Sequence, residues 1–144
     1  ERKSTENKLR EQAALLDKAQ DAIIVRDLGH RILYWNRSAE RLYGWTSKDA
    51  AGKSEKDLMH KSANDYHTAM EITLARGEWM GEMDHRTRDG RELVVESRWT
   101  LVRNDKGEPD SVLTINTDIT GRKKLEQQFL RAQRLESIGT LAGG

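Results

Sequence analysis

His67 is the residue with the most specific chemical potential in this chain. It falls near the start of a helix predicted over about residues 65–76, where a neutral imidazole is available as an iron or metal ligand; next to the polar Asn64-Asp65 start, a capping or exposed role is the alternative. His30 lies beside a predicted turn, His60 in a loop and His85 on a charged strand, and all three read as structural or exposed. No pair of them has zinc-site spacing. Trp35, Trp45, Trp79 and Trp99 carry most of the aromatic mass and read as core or interface residues. The chain has no cysteine, which excludes disulfides, thiolate metal sites and any cysteinyl adduct.

A second constellation, Asp118-Ile119-Thr120 with Arg122, can do structural chemistry. The Thr120 hydroxyl is placed to cap a following helix by accepting from the backbone N–H groups of Gly121, Arg122 and Lys123. Asp118 can pair with Arg122 or accept from nearby backbone N–H groups. Either contact would tie the position of the preceding strand to the direction of the helix. Elsewhere Asp105 and Glu108 occupy turns, and no carboxylate pair, nucleophile motif or phosphate-cradling glycine loop suggests catalysis. Arg86, Arg88, Arg91 and Arg98 alternate with Glu82, Asp84, Glu92 and Glu96, as expected for a solvated or cross-strand-paired sheet face.

Three zones must position these residues. From about Glu6 to Ala19, Leu9, Ala13, Leu16 and Ala19 recur on one face of an amphipathic helix that could pair with its own copy. Between Asp21 and Asp118 short strands and helices mix. Ile23-Ile24-Val25 and His30 to Trp35 form a predicted hairpin across Asp27-Leu28-Gly29. Asn36 caps a helix over 37–43 that Gly44 ends, and Thr46 with Asp49 opens a short second one. Tyr66, Met70, Ile72 and Leu74 are candidate buried positions of the longer helix that stops at Gly77. Strands over 79–88, 91–103 and 111–119 follow, the first pair joined by Asp89-Gly90 and the second by the polar loop 104–109. The order predicts an α+β fold, a five-stranded antiparallel sheet with short helices on one face. After Thr120 a heptad pattern places Leu125, Ala132 and Gly139 at one core position and Gln128, Leu135 and Ala142 at the other, widened by Phe129 and Ile138.

Composition agrees with a small core plus long solvated helices: hydrophobic and charged residues are nearly equal, at 35% and 34%. A net charge of +1 offers no field for nucleic acid or an anionic membrane surface. No apolar run approaches the ~20 residues of a membrane helix. The start at Glu1 and the abrupt Gly143-Gly144 ending suggest an excised piece, expected to be cytoplasmic, from a parent that is either soluble or membrane-anchored.

The stretch from Ile32 through Trp45, the segment Gly77-Glu78-Trp79 through Asp89-Gly90, and Asp118-Ile119-Thr120 with Arg122-Lys123 together resemble a PAS domain with its C-terminal PAC-type motif. Arg134 to Gly144 is similar to the segment leading into the phosphoacceptor helix of bacterial sensor histidine kinases. The resemblance implies a linker helix over 1–20, a PAS domain over 21–120 and a signalling coiled-coil helix over 121–144. It implies a two-component signal-transduction module rather than an enzyme, since no histidine follows His85 and no ATP-binding motif is present. The expected partners are a second copy in a parallel homodimer seamed by Leu9, Leu16, Leu125, Ala132 and Leu135, the parent's transferase core and, through its phosphorelay, a response regulator. No cofactor is expected; the alternative is a ligand sensor holding haem through His67, FAD, or a small metabolite near His67, Trp79 and Trp99.

Overall fold

A computed structural model describes residues 7–8, 10–11 and 21–143. Residues 7, 8, 10 and 11 are helical; Leu9, Ala13, Leu16 and Ala19 lie outside the described residues. Strands β1 (Ala22–Asp27) and β2 (Ile32–Trp35) lead into helices α1 (Arg37–Tyr43), α2 (Ser47–Ala50), α3 (Glu55–Met59) and α4 (Ala63–Arg76). Strands β3 (Glu78–Arg86), β4 (Glu92–Arg103) and β5 (Pro109–Asp118) follow, and α5 (Thr120–Gly143) leaves the domain. The five strands form one sheet in the order β2-β1-β5-β4-β3, antiparallel at every pairing. The expected α+β architecture is therefore the observed one.

Local chemistry explains the helical cover. Asn36, Thr46, Ser54 and Ser62 each accept through their side chains from the backbone N–H three residues on, so four helices begin with one device. The Asn36 amide oxygen also accepts from Ile23 N at 3.0 Å, fastening α1 to β1. Gly44 ends α1 at φ 82°, a left-handed conformation that a side chain resists. The longer helix, α4, starts two residues before the predicted Asp65. It buries Tyr66, Ala69, Met70 and Thr73, whereas Ile72 is half-buried and Leu74 is 44% exposed. The i, i+3, i+4, i+7 stripe runs from Tyr66 and leaves Leu74 on the outer side.

Alternation along the strands builds the core. Leu93, Val95, Ser97, Trp99 and Leu101 of β4 point inward with Ala22, Ile24 and Arg26 of β1. They meet Ala39 and Tyr43 of α1, Ala50 of α2, Met59 of α3 and Tyr66, Ala69 and Met70 of α4. A charged and polar set thus sits in the middle of an apolar interior.

Candidate functional site

The interior set begins at Arg26, which is fully buried on β1. Its guanidinium lies 4.0 Å from the Trp99 ring centroid and 5.1 Å from that of Tyr66. Nη1 donates to both Glu55 carboxylate oxygens at 3.1 Å and to the Thr114 hydroxyl at 2.8 Å. Glu55, the first residue of α3, is equally buried and also accepts from His60 Nε2 at 2.9 Å. Burial alone would raise the Glu55 carboxyl, but the Arg26 charge and the His60 hydrogen bond outweigh it and hold the group at about 2. It is an anion paired with a buried cation.

A hydrogen-bonded chain runs from the other side of Trp99 and fixes its own polarity. The indole N–H of Trp99 can only donate, and it donates to Ser97 Oγ at 2.8 Å. Ser97 donates to Asn116 Oδ1 at 2.5 Å, and Asn116 Nδ2 donates to the Tyr43 hydroxyl at 3.0 Å. Tyr43 then donates to His85 Nδ1 at 2.7 Å. With the Asn116 amide so oriented, the neutral His85 ring carries its proton on Nε2. Burial, then the neighbouring His60 and Arg26, push the His85 ring well below its ordinary value, so it stays neutral. Burial and the Glu55 charge push Tyr43 well above its own, so the hydroxyl keeps the proton it donates.

The two imidazoles close the circuit. His60 and His85 meet edge to face with centroids 4.3 Å apart, and their backbones form an isolated bridge between the end of α3 and β3. One path therefore joins β1, α3, β3, α1, β5 and β4 and returns to Arg26 over Trp99.

The structure does not bring His67, Trp79 and Trp99 together. Trp79 packs edge to face on Trp99 at 5.4 Å, but His67 is exposed on α4, nearest His30 and Tyr66. Exposure of His67 agrees with its capping or exposed reading; the interior imidazoles are His60 and His85. Arg26, Glu55, Tyr66 and Trp99 are all buried in the interior. The basic residues of β3, β4 and the turn between them are exposed, the solvated of the two expected arrangements rather than the cross-strand-paired one. Arg88 reaches Asp49 at 3.4 Å and stacks on Trp45, Arg86 donates to the Asp57 carbonyl at 3.1 Å, and Arg98 lies 3.7 Å from Glu96 of its own strand.

At the domain exit, Asp118 accepts from a nearby backbone N–H, one of the two contacts expected of it, whereas Thr120 bonds the sheet instead of the N–H groups of Gly121, Arg122 and Lys123. Asp118 Oδ1 accepts from Thr120 N at 3.0 Å and from its hydroxyl at 2.6 Å. The Thr120 hydroxyl accepts from Val94 N of β4 at 3.0 Å, and Ile119 N donates to Val94 O at 2.9 Å. Thr120 is itself the first residue of α5, so its hydroxyl reaches back to the sheet while Asp118 supplies the turn. Arg122 pairs with Glu126 at 3.7 Å, and Lys123 reaches Glu82 of β3 at 3.0 Å. Ile119 is buried beneath this junction. Beyond it, Leu125, Phe129, Leu130, Leu135 and Ile138 are exposed, as is Ala132.

Sequence reasoning missed Arg26 and Glu55. The signal for α3 was present: Ser54 with Asp57 repeats the capping spacing of Thr46 with Asp49. Arg26 shares a strand face with Ala22 and Ile24, and a charge on that face requires a buried partner.

The antiparallel sheet, the short helices over one face and the helix leaving from the last strand define a PAS fold. The chain belongs to this family, whose model matches residues 10–119. Its relatives include the sensor histidine kinase TmoS of Ectopseudomonas mendocina, 26% identical over 90% of this chain and 14% of that protein. The signal transduction histidine-protein kinase AtoS of Escherichia coli K12 is 25% identical over 90% of this chain and 21% of its own length. The chain thus spans about a fifth or less of the curated relatives it matches. Among solved structures, a PAS domain from Colwellia psychrerythraea superposes with a TM-score of 0.70 at 29% identity, covering 78% of this chain and 98% of that one. An RNA-binding light-oxygen-voltage receptor shares the fold, with a TM-score of 0.68 at 22% identity over 85% of this chain and 37% of its own. Among the described residues no helix is long and apolar enough to cross a membrane.

Proposed function

We propose that the chain is the cytoplasmic signal-relay module of a sensor histidine kinase, with a linker helix over 1–20, the PAS domain over 21–120 and a signalling helix over 121–144. The observation that carries this reading is the exit junction. Val94 of β4 holds Ile119 and Thr120 by backbone and hydroxyl contacts, and Lys123 adds an ion pair to β3. A shift of β4 against β5 therefore acts directly on the first turn of α5. The exposed Leu125, Ala132, Leu135 and Ile138 then carry that shift along a seam between two identical α5 helices in a parallel dimer. Downstream, the kinase core of the parent and its response regulator receive the signal. The chain itself carries no acceptor histidine beyond His85 and acts by conformation rather than by phosphorylation.

Sedimentation of the wild type and of Leu135→Asp tests this reading. A concentration-dependent dimer that the substitution converts to monomer is expected. A wild type that stays monomeric at every concentration contradicts it.

A further inference from the structure

The turn between β1 and β2 places its backbone strain on a histidine. His30 is the only non-glycine residue at positive φ among the described residues, at 73°, although Gly29 directly before it does not take a positive φ. A left-handed conformation costs a side chain energy that glycine would avoid, so an imidazole held there points to a use for the ring. His30 Nδ1 meets the Tyr66 hydroxyl at 2.9 Å, and among the described residues no hydrogen bond engages Nε2. Opposite it stands His67 of α4, with ring centroids 6.1 Å apart and planes at 79°. Two imidazoles on one tetrahedral ion, with their nitrogens about 2.0 Å from it, have centroids about 5 Å apart. A gap of about 1 Å remains, and rotation of the exposed His67 side chain closes it. Burial, then the Arg26 and Lys56 charges and His67, push the His30 ring below its ordinary value, which leaves it an unprotonated base at neutral pH.

We propose that His30 and His67 form a surface binding site for a divalent transition-metal ion of the zinc and copper class, which straps the β1–β2 turn to α4. Imidazole nitrogen suits these ions, whereas magnesium and calcium prefer oxygen ligands. Among the described residues no third histidine, cysteine or carboxylate converges on the pair, so water completes the coordination and the ion exchanges readily. Nε2 of His30 is the ligating atom, and Nδ1 then carries the proton and donates it to the Tyr66 oxygen. A ligating imidazole needs such a partner behind it to fix its tautomer and orientation. Tyr66 fills that place, and its ring packs against those of His60 and Trp99, with centroids 4.6 and 5.3 Å away. An ion at the surface thus reaches the buried circuit through one residue. Lys56 opposes a second cation here, but its flexible stem lets the ammonium turn away, and the Arg26 charge is already offset by Glu55. This goes beyond the relay reading, because binding is measurable without a kinase or a dimer.

The test is calorimetric titration of the metal-free protein, carrying no polyhistidine tag, with the chlorides of zinc, copper(II) and magnesium. Saturable binding of zinc and copper is expected in the wild type, at least tenfold tighter for copper, with none for magnesium. Zinc should also move the NMR signals of the His30, His67 and Tyr66 rings together. His67→Ala and His30→Asn should each weaken zinc binding at least tenfold; asparagine tolerates the left-handed backbone, so the second variant keeps the turn. Zinc should raise the melting temperature of the wild type and leave that of His67→Ala unchanged. If neither zinc nor copper binds saturably to the wild type, the proposal is overturned. It is equally overturned if both variants keep the wild-type affinity, since the ion then sits elsewhere. Should His30→Asn not fold, His67→Ala, at an exposed helix position, decides alone. A failure here leaves the sedimentation result untouched, so the two readings fall separately.

Discussion

Glu55→Gln is the substitution whose consequence follows most directly from the structure. It keeps the shape of the side chain but leaves the Arg26 charge buried without a counter-charge. The Glu55 carboxyl, which would titrate near 4.5 in a free chain, is held at about 2 in the fold. At 1.36 kcal/mol for each tenfold change in proton affinity, that preference for the anion is worth about 3 kcal/mol. Breaking a buried ion pair from one side typically costs about 3–5 kcal/mol, against a total domain stability of about 5–15 kcal/mol. Urea unfolding near neutral pH should show a midpoint lowered by that loss divided by the slope, with the slope itself unchanged. The pH dependence gives the sign. Because the folded value lies below the unfolded one, the stabilisation is fully present above about 4.5 and drains away as pH falls through about 2. Wild-type and variant stabilities should therefore converge across that acid window. Arg26→Met combined with Glu55→Leu removes both charges and should recover most of the loss of either single change. A Glu55→Gln penalty below about 1 kcal/mol, or one that does not change with pH, would refute the paired-charge account.

Tyr43→Phe strands the Asn116 amide N–H and the His85 acceptor nitrogen, so it should lower stability by about 1–3 kcal/mol in thermal unfolding. Thr120→Val removes the hydroxyl between Val94 N and Asp118; about 1–2 kcal/mol should be lost, with faster hydrogen exchange at Val94 and at the first turn of α5. Gly44→Ala forces a side chain into the left-handed backbone at φ 82° and should cost about 1–2 kcal/mol in denaturant titration.

Much of the fold was legible because its punctuation is local. Asn36, Thr46, Gly44, Gly77 and the Asp89-Gly90 turn act within a few residues, and each sits where its chemistry placed it. The interior site was not legible for the opposite reason. Arg26 meets Glu55 across 29 residues and Thr114 across 88, and neither separation leaves a periodic trace. Helix α3 spans only five residues, too short for an amphipathic stripe, and only its Ser54 cap marks it. For His85 the structural and exposed readings stayed open because Asp84 and Arg86 flank it; strand alternation sends those two outward and His85 inward with Met83. At the junction the residues were recognised but not their partners: Thr120 bonds Val94, a strand contact that sequence distance conceals.

The proposed two-helix seam along α5 is directly measurable, because the chain has no cysteine of its own. Single cysteines placed in turn along residues 124–138 report, by the rate of oxidative cross-linking between chains, which positions face a second copy. Fast cross-linking is expected for Leu125→Cys, Ala132→Cys and Leu135→Cys, with slow positions such as Gln127→Cys and Arg134→Cys between them. A rate that is uniform along the helix, or maximal on the face of Gln127 and Arg134, would contradict it.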